Sequence, residues 1–527
     1  MPGFGTIGSS GRGGKYDRLN TASPPPPEDL PPPESLPSFD VHQATQRILN
    51  QHLKTFHSSK RRQLIIMSSS FIGALLFLYW VIGVKGNAVW QGCDSYQVGY
   101  QCQPEISHYW GQYSPYFSVP SAISSDIPDQ CVVTFAQILS RHGARDPTSS
   151  KTMLYNATVE HVHSNVKSYG PGYEFIKNYK YTLGADQLTG FGQQQMINSG
   201  KHFYNRYHRL ALHTAPFIRA SGQDRVLESA QNWTQGFHDL RMRNNPAKVY
   251  YPYDILVIPE DEGFNNSLSH GLCKNFENGP SYGRDAQLIW AKIFTPPITA
   301  RLNKNLPGAN LTLTQTISLM DLCPFNTIAS DKGNTISPFC DLFTEMEWNQ
   351  YDYYQSLQKY YDYTWGNPLG ATQGVGFANE LLARLTNTPV NDHTSTNSTL
   401  DSSRKTFPLG GNTSLYADFS HDNDMTSIFG ALGLYNETRP LLNTTIENVQ
   451  DTNGFSASWT VPFAARAYFE KMTCVGAKEE YVRVLVNDRV LPLESCGGDA
   501  LGRCTLRRFV DSLGFVRGGG GWEGCFS

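Results

Sequence analysis

Hydrophobic and polar positions divide the 527-residue chain into three stretches. In residues 1–62 no hydrophobic periodicity precedes Val41. Only Val41, Ile48, Leu49 and Leu53 fall at helical spacing, which predicts a short helix over about Val41–Phe56. Leu64–Val84 (LIIMSSSFIGALLFLYWVIGV) then runs 21 residues without a charge. At 1.5 Å per residue it matches a hydrocarbon core of ~30 Å and predicts one membrane span. Beyond it, β-rich runs alternate with helical patterns, as in an α/β body. Cys131–Leu139 (CVVTFAQIL) predicts a buried strand, Ala215–Arg219 and Leu415–Phe419 two more, and Tyr481–Val486 (YVRVLV) another, turned by Asn487-Asp488. Val226, Ala230, Trp233, Phe237 and Leu240 recur at helical spacing after Arg225, and Val159, Val162 and Val166 mark a helix behind the first strand. The stretch of about 240–350 is aromatic and reads as loop-rich, an inserted smaller domain. Internal repeats at solenoid periods are absent.

Composition separates the same three stretches. Eight of the fourteen residues from Pro24 to Pro37 are proline. A segment of this kind buries too little apolar surface to offset chain entropy, so residues 1–62 are expected to be a disordered, partly polyproline II tail. It serves as a spacer or, with Pro24–Pro27 and Pro31–Pro33, as a docking site for an SH3 or WW partner. Lys60, Arg61 and Arg62 flank the apolar run on one side, and Lys85 is the single basic residue close behind it. The positive-inside rule then places the tail in the cytosol and residues 89–527 in the lumen or outside. This is the topology of a single-pass type II signal anchor. Gly86-Asn87-Ala88 offers small residues for cleavage, which would release the body as a secreted protein.

Cysteines and sequons give the same topology from different chemistry. All ten cysteines follow residue 89, in the even number that an oxidising compartment selects, and none forms a CxxC pair. The candidate glycosylation acceptors Asn156, Asn232, Asn265, Asn310, Asn397, Asn412, Asn436 and Asn443 also lie only there. The net charge of −3 provides no basic stripe, so nucleic acid is not an expected partner.

Three motifs carry chemistry, and each follows a predicted strand, where an open α/β sheet places its ligands. The first is Arg141-His142-Gly143-Ala144-Arg145-Asp146-Pro147. Two guanidiniums match phosphate oxygens bidentately, and their like charge keeps the imidazole between them neutral and nucleophilic. Gly143 would allow a tight turn. The second is Asp418-Phe419-Ser420-His421-Asp422-Asn423-Asp424, in which a carboxylic acid can protonate the leaving oxygen of a phosphomonoester. The third, Arg219-Ala220-Ser221-Gly222-Gln223-Asp224-Arg225, adds Arg225 as a third guanidinium at a helix start. GxxxxGK[ST] and HExxH are absent, and His161 and His163 are expected to be solvated histidines on a helix rather than metal ligands.

RHGARDP, SHD and RASGQDR together resemble the histidine acid phosphatases, and within that family the secreted phytases (3-phytase-like). The resemblance runs from about Gln91 to Ser527 and includes Gly111–Pro115, Gly366–Gly370, Trp459–Phe463 and Val486–Val490. It implies a large α/β domain with a mixed sheet, as in phosphoglycerate mutase, plus a smaller, mainly α domain, with the active site between them. It implies that His142 attacks phosphorus to form a phosphohistidine, that Arg141, Arg145, Arg225 and His421 hold the phosphoryl oxygens, and that Asp422 is the proton donor. It also implies a monomer with neither metal nor cofactor, and the pairs Cys93–Cys102, Cys131–Cys474, Cys273–Cys525, Cys323–Cys340 and Cys496–Cys504. Lys151, Gln358 and Lys359 stand where related phytases carry lysines, so these positions are the specificity candidates. Asp146 and Asp424 add negative charge that would raise the pKa of Asp422 or repel a polyphosphorylated substrate. The reading is a phytase working at acidic pH. A broad acid phosphatase is the alternative, and a non-catalytic surface protein binding inositol phosphates is the second.

Overall fold

The computed structural model describes residues 93–95, 97–244, 250–330 and 335–527. The Pro-rich tail, the Val41–Phe56 helix and the Leu64–Val84 span lie outside the described residues. No helix among the described residues is long and apolar enough to cross a membrane.

A small hairpin, β1 (Asp94–Ser95) and β2 (Gly99–Tyr100), precedes the main sheet. β3 (Cys131–Arg141) is the longest strand, buried on both faces from Phe135 to Arg141. It continues two residues past the predicted end because Ser140 and Arg141 are buried in register with the neighbouring strand. β4 (Phe217–Ser221), β5 (Ile255–Ile258) and β6 (Leu415–Ser420) follow, then β7 (Arg466–Cys474), β8 (Tyr481–Val486), β9 (Arg489–Val490) and β10 (Arg503–Thr505). Their spatial order is β10-β8-β7-β3-β6-β4-β5, with β9 paired to β8. β3, β6, β4 and β5 run parallel, while β7 and β8 join antiparallel, so the sheet is mixed.

Two layers of helix cover the sheet, and the strands alternate residues between them. On one face Ala136, Ile138, Ile218, Ala417 and Phe419 meet α2 (Gly190–Arg206) and α3 (Asp224–Asn244), which supply Met196, Phe203, Val226, Ala230, Trp233 and Phe237. The spacing of the last four is the one read from sequence. Trp233 is fully buried among Phe203, Phe237 and Phe419, so Trp233→Ala would cost about 3–5 kcal/mol. On the other face Phe135, Leu139, Tyr416 and Phe469 meet α7 (Val375–Thr386) and α8 (Asp422–Ala431).

A separate core joins α1 (Ser149–Asn165) to α4 (Tyr282–Asn305), α5 (Leu313–Ile328) and α6 (Glu345–Tyr363). The stretch expected to be loop-rich is therefore largely helical. Pro296 and Pro297 inside α4 and Pro324 inside α5 hide the helical signal, and tertiary packing overrides it. Besides the two- and three-residue strands β1, β2, β9 and β10, two longer strands escaped the sequence pattern. β7 contains Arg466, Glu470 and Lys471, all buried, and Glu470 is neutralised by Arg206 at 2.7 Å and Arg483 at 2.9 Å. β5 is a four-residue edge strand, too short to register. The strand expected at Ala215–Arg219 is displaced to Phe217–Ser221, so its motif begins inside the strand.

The described residues contain five disulfides: Cys93–Cys102, Cys131–Cys474, Cys273–Cys525, Cys323–Cys340 and Cys496–Cys504. Cys131–Cys474 joins paired positions of β3 and β7. His163 on α1 is exposed and His161 half-buried, and each also spends one nitrogen on the fold: their Nε2 atoms lie 2.7 Å from the Ile176 carbonyl and 2.6 Å from the Ala309 carbonyl.

Candidate active site

The four parallel strands end at the same edge. Arg141 is in register with Ser420, Ala220 with Phe419, and Ser221 with Ile258. The residues immediately beyond are His142, His421-Asp422, Gln223–Arg225 and Glu260. Four segments distant in sequence thus deliver their polar side chains to one place, as the twist and connectivity of parallel strands require.

His142 is 1% exposed. Its Nδ1 lies 2.8 Å from the Gly143 carbonyl oxygen. A carbonyl only accepts, so Nδ1 carries the proton and the neutral ring keeps its lone pair on Nε2. Burial, followed by the charges of Arg141, Arg225 and Arg145, holds the imidazole well below its usual range. Both causes favour the neutral ring.

The loop behind His142 is held tightly. Gly143 N–H donates to Ser229 Oγ at 3.1 Å, Ala144 N–H to Gln195 Oε1 at 2.9 Å, and Thr189 N–H to the Ala144 carbonyl at 2.9 Å. Thr189 also caps α2, accepting from Gly192 N–H. Gly143 has no left-handed backbone. Its lack of a side chain is required because a Cβ there would collide with the Gly192 backbone, and one on Gly192 would collide with Ala144. Close approach, rather than turn geometry, explains the glycine.

Arg141 is fully buried. Its Nη1 donates to the carbonyls of Gln112 and Val461, its guanidinium lies 4.5 Å from the Phe463 ring centroid, and Nη2 stands 3.5 Å from Asp422 Oδ2. Arg145 Nη1 donates to the Asp146 carbonyl, and Arg225 Nη1 lies 3.7 Å from Asp186. The buried Nε atoms of Arg141, Arg145 and Arg225 have no hydrogen-bond partner among the described residues. Three orphaned guanidinium donors around one imidazole are the donor set an oxyanion would satisfy.

Asp422 opens α8, where the helix dipole favours a carboxylate. Lys359 from α6, 2% exposed, places Nζ 2.6 Å from Asp422 Oδ2 and 2.6 Å from Asn423 Oδ1. Burial alone would raise the Asp422 pKa, but Arg141 and Lys359 outweigh it and hold the carboxyl well below its usual range. The expectation that Asp146 and Asp424 raise it is therefore corrected. Asp146 turns to the Gly184 backbone, and Asp424 Oδ1 accepts the His270 N–H at 2.6 Å.

The His421 ring lies 5.7 Å from that of His142, and its Nε2 is 2.8 Å from Glu260 Oε1, which also accepts from Ser221 Oγ. Burial would raise the Glu260 carboxyl, but the hydrogen bond and charge of His421 bring it below its usual value. Glu260 was not read from sequence. Its signal was an acid just behind a strand, hidden because β5 itself was missed.

The specificity candidates separate. Lys359 enters the site. Lys151, 40% exposed at its side chain, pairs with Asp321 at 3.5 Å, which in turn accepts from Tyr155 and Tyr351. Gln358 is half-buried and hydrogen-bonds Asp362 along its own helix.

Residues 132–487 match the model of the histidine phosphatase superfamily, branch 2. The chain belongs to that family. It is 54% identical over 442 residues to Phytase A of Aspergillus oryzae, covering 83% of this chain and 94% of that one. It is 52% identical over 451 residues to Phytase A of Aspergillus fumigatus, covering 85% and 96%. The solved phytase from D. castellii shares the fold with a TM-score of 0.64 at 24% identity, over 78% of this chain and 85% of that one. So does the multiple inositol polyphosphate phosphatase of Bifidobacterium longum, solved with inositol hexasulfate, with a TM-score of 0.56 at 15% identity, over 78% and 98%. The protein is a histidine phosphatase with a mixed-sheet α/β body and a helical layer.

Proposed function

We propose that this histidine phosphatase hydrolyses phosphomonoesters of inositol phosphates, with phytate as its substrate, through a covalent phosphohistidine. The observation that carries the chemistry is the neutral His142, its Nε2 free and ringed by orphaned donors of Arg141, Arg145 and Arg225. The substrate follows from the Phytase A relatives at more than half identity.

In this reading His142 Nε2 attacks phosphorus as the P–O(ester) bond breaks. The departing oxygen takes the Asp422 proton and leaves as an alcohol. Water then attacks the phosphohistidine and gives a proton to Asp422, and phosphate leaves with His142 restored. The three guanidiniums and His421 stabilise charge on the equatorial oxygens. Asp422 is a carboxylate in the free site. A phosphoryl group competes for the charge of the same cations, so binding substrate raises Asp422 and draws in the proton that acidic solution supplies.

Residues 89–527 form the catalytic part of the proposal, with helices from about 240–350 contributing its smaller domain. Its disulfides fit folding in the secretory pathway. Leu64–Val84 then serves as an anchor or a cleaved signal, and the proline-rich tail as a spacer or docking segment. The test is phosphate release by the purified protein between pH 3 and 7 from phytate and from 4-nitrophenyl phosphate, wild type beside His142→Ala. Turnover of phytate by wild type and none by the variant is the expected result. Equal activity of the two would refute the nucleophile. Turnover of the aryl ester alone would leave a general acid phosphatase.

A further inference from the structure

His270 sits in the loop behind β5, between buried Leu268 and the Cys273–Cys525 disulfide. Its backbone N–H donates to Asp424 on the first turn of α8, two residues from Asp422. Its Nδ1 lies 2.7 Å from Glu277 Oε1. Its ring centroid is 5.9 Å from that of Tyr363, and Lys359 Nζ stands 5.4 Å from the Tyr363 centroid on the opposite errand of holding Asp422. The imidazole is therefore one aromatic ring away from the cation on the candidate proton donor. The side chain is 22% exposed, and Nε2 has no hydrogen-bond partner among the described residues.

We propose that His270 is a specificity-determining residue that donates its Nε2–H to a non-scissile phosphate of a polyphosphorylated inositol while the reacting phosphate occupies the arginine cage. This rests on the phytase reading above and deepens it.

Three carboxylates surround the ring, and each is already engaged. Asp424 accepts the His270 backbone N–H, Glu277 faces Nδ1, and Glu260 accepts from His421 and Ser221. Burial would lower the imidazole, but Asp424 and Glu277 outweigh it and push it up to about 9. Through the acidic range the ring is a cation with two donors, Nδ1 engaged by Glu277 and Nε2 without a partner among the described residues. This also gives Asp424 a role other than repulsion. It fastens the loop to the catalytic helix and supports a positive charge at the rim. A substrate with one phosphate has nothing to offer Nε2, whereas an inositol ring with several places a second phosphate a few ångströms from the first.

The test compares the purified full chain with His270→Gln and His270→Ala. Both variants retain the backbone donor to Asp424, and matched thermal melts verify folding. The readouts are kcat and KM for phytate and for 4-nitrophenyl phosphate, and inhibition by myo-inositol hexakissulfate. The phytate-to-aryl ratio of kcat/KM should fall roughly five- to twentyfold, mostly in KM, with an equal rise in the inhibition constant. A parallel fall on both substrates would make His270 a positioning residue and overturn the proposal, as would an unchanged ratio. Absence of phytate turnover by wild type would instead identify failure of the underlying reading.

Discussion

Replacing Lys359 by glutamine tests the assignment of Asp422 as the proton donor. In the structure a full positive charge lies 2.6 Å from Asp422 Oδ2 and a second, on Arg141, lies 3.5 Å away. At an effective dielectric of ~20 a unit charge at the nearer distance is worth about 6 kcal/mol, and the cost of burying Lys359 itself cancels a large part of it. Carboxylates beside one cation are typically lowered by about 1–3 pK units, or about 1.4–4 kcal/mol. Removing Lys359 leaves Arg141 in place, so Asp422 should rise by an amount in that range. The sign follows directly. The first chemical step needs Asp422 protonated, so kcat falls as pH rises through its value in the substrate complex. In Lys359→Gln that descending limb should move to higher pH by about one to three units. KM for phytate should rise, because a cation has been removed from the site. The assay is a full pH profile of kcat on phytate, with thermal melts at each pH. A descending limb that stays in place or moves to lower pH would refute the assignment of Asp422 as the group that must carry the proton.

Asp422→Asn should slow kcat by roughly 10²–10⁴ on alkyl phosphates but far less on 4-nitrophenyl phosphate, whose leaving group needs no proton; equal losses on the two would remove Asp422 from that role. Asp418 lies fully buried between Arg219 and Arg384, both at 2.7 Å, and Asp418→Asn would strand the buried Arg384 guanidinium while leaving Arg219 only its Glu380 partner, at a cost of about 3–5 kcal/mol, measured by denaturant unfolding. Burial would raise the Asp418 carboxyl, but the two arginines hold it below its usual value. Its contribution is therefore present above the unfolded value and lost only as pH falls through the lower folded one, so the stability gap between wild type and variant should persist at pH 5. Among the sequons, Asn310, Asn412 and Asn436 are exposed, whereas Asn265 Nδ2 donates to the carbonyls of Thr394 and Thr396. Glycopeptide mass spectrometry should find glycans on the first three and none on Asn265.

His142, Arg141, Arg145, Arg225, His421 and Asp422 were legible as candidates because each lies at or just behind the end of a strand whose mainly apolar run marks it in the sequence. The amphipathic helix from Asp224 to Asn244 was legible for a related reason, since a two-sided element must write its period into the chain. β7 was not legible, because the partners of its buried charges come from elsewhere in the chain: Arg206 and Arg483 neutralise Glu470, and Glu480 pairs with Lys471. Local patterns carry what a segment does with its own neighbours, and they carried the candidate motifs, the helix periods and the confinement of the cysteines to one side of the apolar run. Tertiary structure decided which groups share a charge. It set Lys359, rather than Asp424, against Asp422, turned Asp424 to His270, gave His421 its Glu260, and used Gly143 for contact with Gly192. Electrostatics and close packing fall off with distance in space, and residues separated by 63 or 161 positions become neighbours only once the sheet is assembled.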